Sequence, residues 1–194
     1  MIKNATFLKS YTDPSSIPSE NIPEFVFVGK SNVGKSSLIN CLVNQKKLAR
    51  TSSEPGLTRL INYFEINGGS FYFVDLPGYG FARVSKDEKK KWTKMIEGYF
   101  ELSKNIAAVF VLIDIRRSPS EDDLIMVNYL FTKNIPFFII ATKADKLSKN
   151  QIAAQRAEIA NALKIGIDNV IVSSSEKGKG KKEILDKIAQ IIEN

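Results

Sequence analysis

The residue types and spacing of one short segment suit the binding of a phosphate chain. Residues 29–36 read Gly-Lys-Ser-Asn-Val-Gly-Lys-Ser, which matches the pattern G-x-x-x-x-G-K-[ST] between an apolar run and a helix-compatible stretch. In that pattern backbone N–H groups surround the phosphates, the lysine reaches the β- and γ-phosphates, and the last hydroxyl holds Mg²⁺. We therefore expect a nucleoside triphosphate here, with Lys35 taking part in catalysis and Ser36 holding the metal. The predicted contacts are Gly29, Lys30, Ser31, Asn32, Val33, Gly34, Lys35 and Ser36.

A carboxylate follows a second apolar run, at the end of a predicted strand. Asp75-Leu76-Pro77-Gly78 comes directly after residues 71–74. A strand-end carboxylate can complete the Mg²⁺ shell, and a glycine beside it lets its amide approach the γ-phosphate because no side chain intervenes. We predict that Asp75 holds the metal and that Gly78 contributes to catalysis. The predicted nucleotide contacts are Asp75, Leu76, Pro77 and Gly78.

Two further strand ends carry groups that can recognise a base. Thr142-Lys143-Ala144-Asp145 follows residues 137–141, and Ser173-Ser174-Ser175 follows residues 170–172. The carboxylate of Asp145 can accept hydrogen bonds from N1–H and the N2 amine of guanine, whereas adenine presents an acceptor at N1 and would be repelled. Backbone amides of the serines can meet the guanine O6 atom. The predicted base contacts are Thr142, Lys143, Ala144, Asp145, Val172, Ser173 and Ser174.

The polar loop 51–59 supplies a candidate switch. A hydroxyl from it would complete the Mg²⁺ shell when a γ-phosphate is present, so that triphosphate orders the loop and diphosphate releases it. Thr58 is favoured because it stands just before a predicted strand, although the residue types alone do not decide between Thr58 and Thr51. The predicted contacts are Gly56, Leu57 and Thr58, with Thr58 as both metal ligand and catalytic residue.

Composition excludes several kinds of chemistry. The 194 residues include no histidine, which rules out Ser-His-Asp catalysis and histidine-ligated metals, and a single cysteine, which rules out an internal disulfide. The first residues lack the apolar segment of a signal peptide, and no stretch is long enough to cross a membrane. We therefore expect a cytoplasmic monomer with no membrane contact. The net charge of +7 favours a polyanionic partner.

Apolar runs and helical segments alternate along the chain, which predicts an α/β fold with three layers. Runs suited to buried strands lie at residues 25–28, 71–74, 107–113, 137–140 and 170–172. Gly68-Gly69 signals a hairpin, so we expect a mostly parallel sheet with one antiparallel edge strand and helices on both faces. The length fits a single domain over residues 1–194, with residues 1–23 packed on the core or leading into it.

With these motifs in order, the chain resembles the EngB family (also called YihA or YsxC) of bacterial ribosome-assembly GTPases, in the translation-factor-related class of P-loop GTPases. The most specific residues are 29–36, Pro55-Gly56-Leu57-Thr58, 75–82 and Thr142-Lys143-Ala144-Asp145-Lys146-Leu147. The resemblance implies a single G domain that binds GTP and GDP with Mg²⁺, held by Ser36 and Thr58, and hydrolyses GTP. It also implies a role in assembly of the large ribosomal subunit, with contact to its rRNA and proteins, and in cell division and septation.

Three positions bear on the rate of GTP hydrolysis, the affinity for nucleotide and the ions bound beside the phosphates. Tyr79 stands where many GTPases have a water-positioning glutamine, which predicts slow intrinsic hydrolysis and stimulation by a partner. Thr142 replaces the usual asparagine of the guanine motif, so we expect fewer polar contacts to the base and the phosphate loop, and modest nucleotide affinity. Asn32 raises the hypothesis that K⁺ binds beside the phosphates, as in related GTPases with an asparagine here; a loop-capping amide is the alternative.

Two lysine clusters are candidates for contact with RNA. One follows the Asp75 motif and the other follows the serines: Lys86, Lys89, Lys90, Lys91 and Lys94, and Lys177, Lys179, Lys181 and Lys182. Most charge runs are solvated faces, and Trp92 within the first cluster is expected to pack rather than to stack on a base.

Two alternatives to a GTPase stay open for the function of the chain. One is a non-catalytic GTP/GDP sensor with a protein partner, and the other is a P-loop kinase or ATPase. Asp145 argues against the second.

Overall fold

The computed structural model describes residues 2–17, 20–49, 60–80 and 86–193, with the side chains of residues 86–89 left out. The strands in this part of the chain are β1 Ala5–Tyr11, β2 Glu24–Gly29, β3 Ile61–Ile66, β4 Phe71–Asp75, β5 Ile106–Asp114, β6 Phe137–Thr142 and β7 Val170–Val172. The α-helices are α1 Lys35–Leu42, α2 Lys86–Leu102, α3 Glu121–Thr132, α4 Lys149–Leu163 and α5 Lys181–Glu193.

The strands form one seven-stranded sheet in the order β1-β3-β4-β2-β5-β6-β7. Within this described sheet β3 runs opposite to the other six strands, so its pairs with β1 and β4 are antiparallel and the pairs from β4 to β7 are parallel. The predicted fold class, a mostly parallel sheet with one antiparallel strand, is confirmed. The position of that strand needs correction, because β1 pairs with β3 and takes the edge itself. Residues 5–11 of the predicted N-terminal extension are therefore part of the sheet.

Alternating side chains of the buried strands build an apolar core on each face of the sheet. In β2, Phe25 and Phe27 point to one face, and Val26 and Val28 point to the other. Helices α1 and α5 cover the phenylalanine face, and α2, α3 and α4 cover the valine face. In the described part of the chain, no helix is both long and apolar enough to cross a membrane. The single-domain boundary at residues 1–194 stays a prediction.

A buried carboxylate ties α2 to the sheet. Glu24, at the start of β2, is 4 % exposed and accepts hydrogen bonds from three hydroxyls. These come from Tyr99 (2.6 Å) and Ser103 (2.8 Å) near the end of α2, and from Tyr63 (3.0 Å) on β3. A buried charge is tolerated only when such partners replace its water. The network therefore fixes the far end of the helix that follows the Asp75 motif.

Candidate nucleotide-binding site

The predicted site residues gather where the parallel strands end. The phosphate loop follows β2, Asp75 closes β4, Thr142 closes β6 and Ser173 follows β7. Because the carboxyl ends of parallel strands lie along one edge of a sheet, these segments from distant parts of the chain become neighbours. Open α/β sheets bind their ligands along this edge.

The phosphate loop turns sharply from β2 into α1. Gly34 is the N-cap residue of α1 with φ of +105°, a left-handed conformation that glycine adopts without strain. The first N–H groups of a helix lack partners within it and carry partial positive charge. This end of α1 is therefore suited to an anion.

Lys35, the predicted phosphate contact, forms an ion pair with Asp75, the predicted metal ligand. Their side chains are only 12 % and 9 % exposed. Asp75 and the half-buried hydroxyl residue Ser36 offer the oxygen donors that Mg²⁺ prefers, so they fit this metal. Among the described residues there is no cluster of three or more His, Cys, Asp or Glu side chains that could hold a metal. A magnesium ion here would thus take further ligands from phosphate and water, as Mg²⁺ usually does.

The Asp75–Gly78 turn packs directly against the phosphate loop. The amide of Tyr79 donates to Gly29 O (3.2 Å), and the amide of Ser31 donates to Tyr79 O (3.0 Å). A Cβ atom on Gly78 would stand 3.1 Å from the Ser31 nitrogen and 3.2 Å from Gly29 O, which is tighter than normal contact. A side chain at position 78 would therefore push the two loops apart by a few tenths of an ångström. Leu76, in contrast, is fully buried in the core and offers only its backbone to the site.

The Tyr79 side chain points away from the phosphate loop and into the core. It is 4 % exposed, and its hydroxyl donates to Asp123 Oδ1 (2.6 Å) at the start of α3. Burial and the Asp123 carboxylate raise the pKa of this phenol well above its usual value. Trp92 packs edge-on against the Tyr79 ring, and its indole N–H donates to Pro77 O (3.1 Å). Tyr79 thus anchors the turn, and Trp92 packs as predicted.

We expect Tyr79→Phe to lower stability while leaving intrinsic GTP hydrolysis unchanged. The change removes a buried hydrogen bond to a carboxylate, which is worth about 1.5–3 kcal/mol, but removes nothing that faces the phosphate loop. Thermal unfolding and single-turnover hydrolysis would measure the two effects. Tyr129→Phe is the matched control, because the Tyr129 hydroxyl is buried without a hydrogen-bond partner in the described residues. A slower reaction at unchanged stability would contradict this assignment.

Asp145, in the segment predicted to contact guanine, is held as an ionised carboxylate. It accepts a hydrogen bond from the Ser174 hydroxyl (2.6 Å) and lies 2.9 Å from the Lys146 ammonium. The Ser174 hydrogen bond, followed by that from Lys146, lowers the pKa of this carboxyl to about 2. The group is therefore negatively charged at neutral pH, as acceptance of two guanine N–H groups requires.

Thr142 links the guanine segment to the phosphate loop. Its hydroxyl is buried and donates to Val33 O (2.7 Å), with Ile113 O also within 3.2 Å. Thr142 thus makes one polar contact to the loop, and the expectation that it makes fewer contacts to the base and the loop than an asparagine would stays a prediction. A hydroxyl is enough for the link because Val33 offers a backbone acceptor close to the end of β6.

The backbone of Ser173 and Ser174 is engaged within the protein. The Ser173 amide donates to Ala141 O (2.8 Å), and the Ser174 amide donates to Lys179 O (3.1 Å). The expected contact of these two amides with guanine O6 is therefore wrong in this structure. The first amide continues the pairing of β6 with β7, and the second closes a turn. Ser174 instead contributes its hydroxyl, by holding Asp145.

One carboxylate of the site, Asp114 at the end of β5, was not predicted from the sequence. It pairs with the Lys143 ammonium (3.1 Å), which also donates to Asn32 O (2.7 Å) in the phosphate loop. Arg116 donates to both carboxylate oxygens (2.9 and 2.7 Å). Partial burial alone would raise the pKa of Asp114, but hydrogen bonds from Arg116 and Lys143 bring it well below the usual value. The available signal was its place at a strand end between two predicted site segments.

Part of the predicted site lies outside the described residues. This holds for the switch loop with its predicted contacts Gly56, Leu57 and Thr58 and the alternative Thr51, and for the side chains of Lys86 and Lys89. Of the lysines after β7, Lys181 donates to Cys41 O (2.6 Å) and Lys182 pairs with Asp186 (2.8 Å). Lys181 therefore links α5 to α1, and Lys182 forms an exposed ion pair within α5.

Comparison with known proteins agrees with this arrangement. The 50S ribosome-binding GTPase family matches residues 24–143. The probable GTP-binding protein EngB of Desulfosudis oleivorans is 46 % identical over 98 % of this chain and 96 % of its own. That of Caldanaerobacter subterraneus subsp. tengcongensis is 47 % identical, covering 99 % and 98 %.

Solved structures share the fold. A crystal structure of a probable GTP-binding protein EngB superposes with a TM-score of 0.71 at 24 % identity, covering 88 % of this chain and 98 % of that one. Aquifex aeolicus Era bound to GDP·AlF4⁻ gives 0.69 at 23 % identity, covering 88 % and 56 %. The EngB proteins that are 46 % and 47 % identical match this chain over nearly its full length. The chain also has a phosphate loop and a strand-end carboxylate, Asp145, on one edge of the sheet. The chain belongs to the EngB family of GTP-binding proteins, within the P-loop GTPases.

Proposed function

We propose that this protein is a Mg²⁺-dependent GTPase that hydrolyses GTP slowly on its own and acts as a nucleotide switch in assembly of the large ribosomal subunit. The observation that carries the proposal is the pairing of a phosphate loop with an ionised Asp145 on one sheet edge. The protein works as a cytoplasmic monomer with a single G domain, and normal cell division and septation depend on it. These biological roles rest on the family.

The phosphates are held by the loop Gly29–Ser36 and the start of α1. Lys35 leaves Asp75 for the β- and γ-phosphates when nucleotide binds, because phosphate is a stronger partner for an ammonium than one carboxylate. Asp75 and Ser36 would hold Mg²⁺, with Thr58 as the third protein ligand in the triphosphate form. Bound there, the ion would supply positive charge to offset the negative charge that develops on the phosphates.

The base lies between the Lys143 stem and the segment after β7. Asp145 accepts both guanine N–H groups. The amides of Ser173 and Ser174 are used within the protein. We therefore assign the contact with O6 to the next amide, that of Ser175. The Asp114 ion pair fixes Lys143 beneath the base.

Slow hydrolysis follows from the position of Tyr79, whose hydroxyl is committed to Asp123. A water-orienting group must then come from elsewhere, and a ribosomal precursor is the natural source for a timed switch. Lys90, Lys91 and Lys94 are exposed at helical spacing on α2, the helix that Trp92 ties to the Asp75–Gly78 turn. This lysine face suits rRNA phosphates.

Co-sedimentation with large ribosomal subunits tests the proposal. We expect stronger binding with a non-hydrolysable GTP analogue than with GDP, and an affinity that falls as salt increases. Replacing Lys90, Lys91 and Lys94 by alanine should weaken binding. Replacing the exposed Lys3, Lys46 and Lys47 makes the same charge change outside α2 and should weaken it less. Equal binding in both nucleotide states would rule out the switch.

Asn32 carries a further part of the proposal, a K⁺ ion beside the phosphates. The residue has φ of +62° and an exposed side chain at the mouth of the phosphate loop. A cation there would neutralise charge as the terminal phosphate departs. We expect subunit-stimulated hydrolysis to be faster in K⁺ than in Na⁺, and Asn32→Ala to remove that difference. Equal rates in the two salts would exclude a potassium role.

A non-catalytic GTP/GDP sensor is the second candidate. The commitment of Tyr79 to the core favours it, since the two described residues after Gly78, Tyr79 and Gly80, offer no side chain that could orient a water molecule at the phosphates. Single-turnover hydrolysis with and without large subunits separates the two functions. Acceleration by subunits supports the GTPase, and a rate that stays negligible with them supports the sensor.

A further inference from the structure

One hydroxyl of the phosphate loop has no hydrogen-bond partner in the described part of the chain. The Oγ atom of Ser31 is buried and makes no hydrogen bond to any described residue. The amide of the same residue is already used, because it donates to Tyr79 O. A buried hydroxyl without a partner is unfavourable, since it has lost its hydrogen bonds to water and gained none. In a phosphate-binding loop, the group that satisfies it is expected to come from the ligand.

The surroundings of Ser31 indicate which part of the nucleotide would pair with its hydroxyl. A Cβ atom on Gly78 would stand 3.2 Å from Ser31 Oγ, so the hydroxyl lies in the wall shared by the phosphate loop and the Asp75–Gly78 turn. The amide of Gly78 is the group proposed to approach the γ-phosphate. The Ser31 hydroxyl therefore lies on the terminal-phosphate side of the loop, away from the guanine end.

We propose that the Ser31 hydroxyl donates a hydrogen bond to an oxygen of the terminal phosphate of GTP. This inference rests on the proposed function and deepens it by naming a side chain that distinguishes the two nucleotide states. Serine has one O–H donor, and phosphate oxygens are charged acceptors that form strong hydrogen bonds. GDP lacks the terminal phosphate, so the hydroxyl stays unpaired when GDP is bound. Ser31 thus favours GTP through its side chain, in addition to the backbone contacts of the loop.

The test compares the affinities of Ser31→Ala for two nucleotides. We expect its affinity for a non-hydrolysable GTP analogue with Mg²⁺ to fall about 10- to 100-fold, the range for one hydrogen bond to a charged group. Its affinity for GDP should not change. Displacement of a fluorescent GDP measures both values. The melting temperature without nucleotide should be unchanged or higher, because the variant removes an unpaired buried hydroxyl, whereas loss of a structural contact would lower it.

Ser174→Ala provides the matched comparison, because it removes a hydroxyl from the guanine end of the same site. It should weaken the GTP analogue and GDP by the same factor. If Ser31→Ala also weakens both nucleotides equally, or weakens neither, the inference is wrong while the proposed function stands. If the unaltered protein binds neither nucleotide, the proposed function itself fails.

Discussion

Replacing Asp145 with asparagine is expected to lower the affinity for GTP and GDP by about 10²- to 10⁴-fold and to transfer the preference to xanthine nucleotides. The carboxylate accepts two guanine N–H groups, and each hydrogen bond to a charged group is worth about 1.5–3 kcal/mol. An asparagine presents one acceptor and one donor. Xanthine matches that pair, because it keeps N1–H and has a carbonyl in place of the N2 amine.

Competition against a fluorescent GDP would measure GTP, XTP and ATP for both proteins. Asp168→Asn is the control, since it makes the same chemical change at an exposed aspartate in the turn before β7. Unaltered GTP affinity in Asp145→Asn would place the base elsewhere. A gain of ATP binding in place of XTP would show that the carboxylate excludes adenine without contacting guanine directly.

Replacing Lys35 with alanine is expected to lower the affinity for Mg²⁺·GTP by about 10²- to 10⁴-fold, since two charge-assisted contacts with phosphate are lost. The same change removes the partner of the nearly buried Asp75 carboxylate. Breaking such a pair destabilises a protein by roughly 3–5 kcal/mol when it is fully buried, so we expect a loss of up to about that size without nucleotide.

The double variant Lys35→Met with Asp75→Asn separates the two effects. It removes both charges, so no unpaired carboxylate remains and stability should recover relative to Lys35→Ala. Nucleotide affinity should stay low because the ammonium is still missing. Calorimetric titration with GTP and thermal unfolding give the two readings. Recovery of GTP binding in the double variant would mean that Lys35 acts through Asp75 and not on the phosphates.

The sequence predicted the sheet and the phosphate and base segments because their signals are local. Residues 25–28 form an uninterrupted apolar run, which is typical of parallel strands that are buried on both faces. Strand β1 escaped prediction because four consecutive residues of it, Thr6 to Lys9, are exposed, so no apolar alternation marks it. It is held by backbone pairing with β3, a long-range interaction that leaves little trace in side-chain pattern.

The contacts at the site that the sequence did not reveal include several between groups that are distant along the chain. Nothing near Tyr79 reveals that its hydroxyl meets Asp123, 44 positions further along. The amide of Ser174 is lost to Lys179 by the geometry of one turn, which residue types do not specify. Thr142 finds Val33, 109 positions away. Residue types thus identified the chemistry available to the site, and tertiary packing decided which atoms remain free to perform it.

The single tryptophan of the chain gives the molecule an optical probe of its own. The Trp92 indole donates to Pro77 O, and its ring packs edge-on against Tyr79. The chromophore therefore contacts the residues on both sides of Gly78. A rearrangement of that turn would change the polarity around the indole and the hydrogen bond it makes. Nucleotide exchange is therefore expected to change the tryptophan emission of the unlabelled protein, and that emission reports on the Asp75–Gly78 turn alone because Trp92 is the one tryptophan of the sequence.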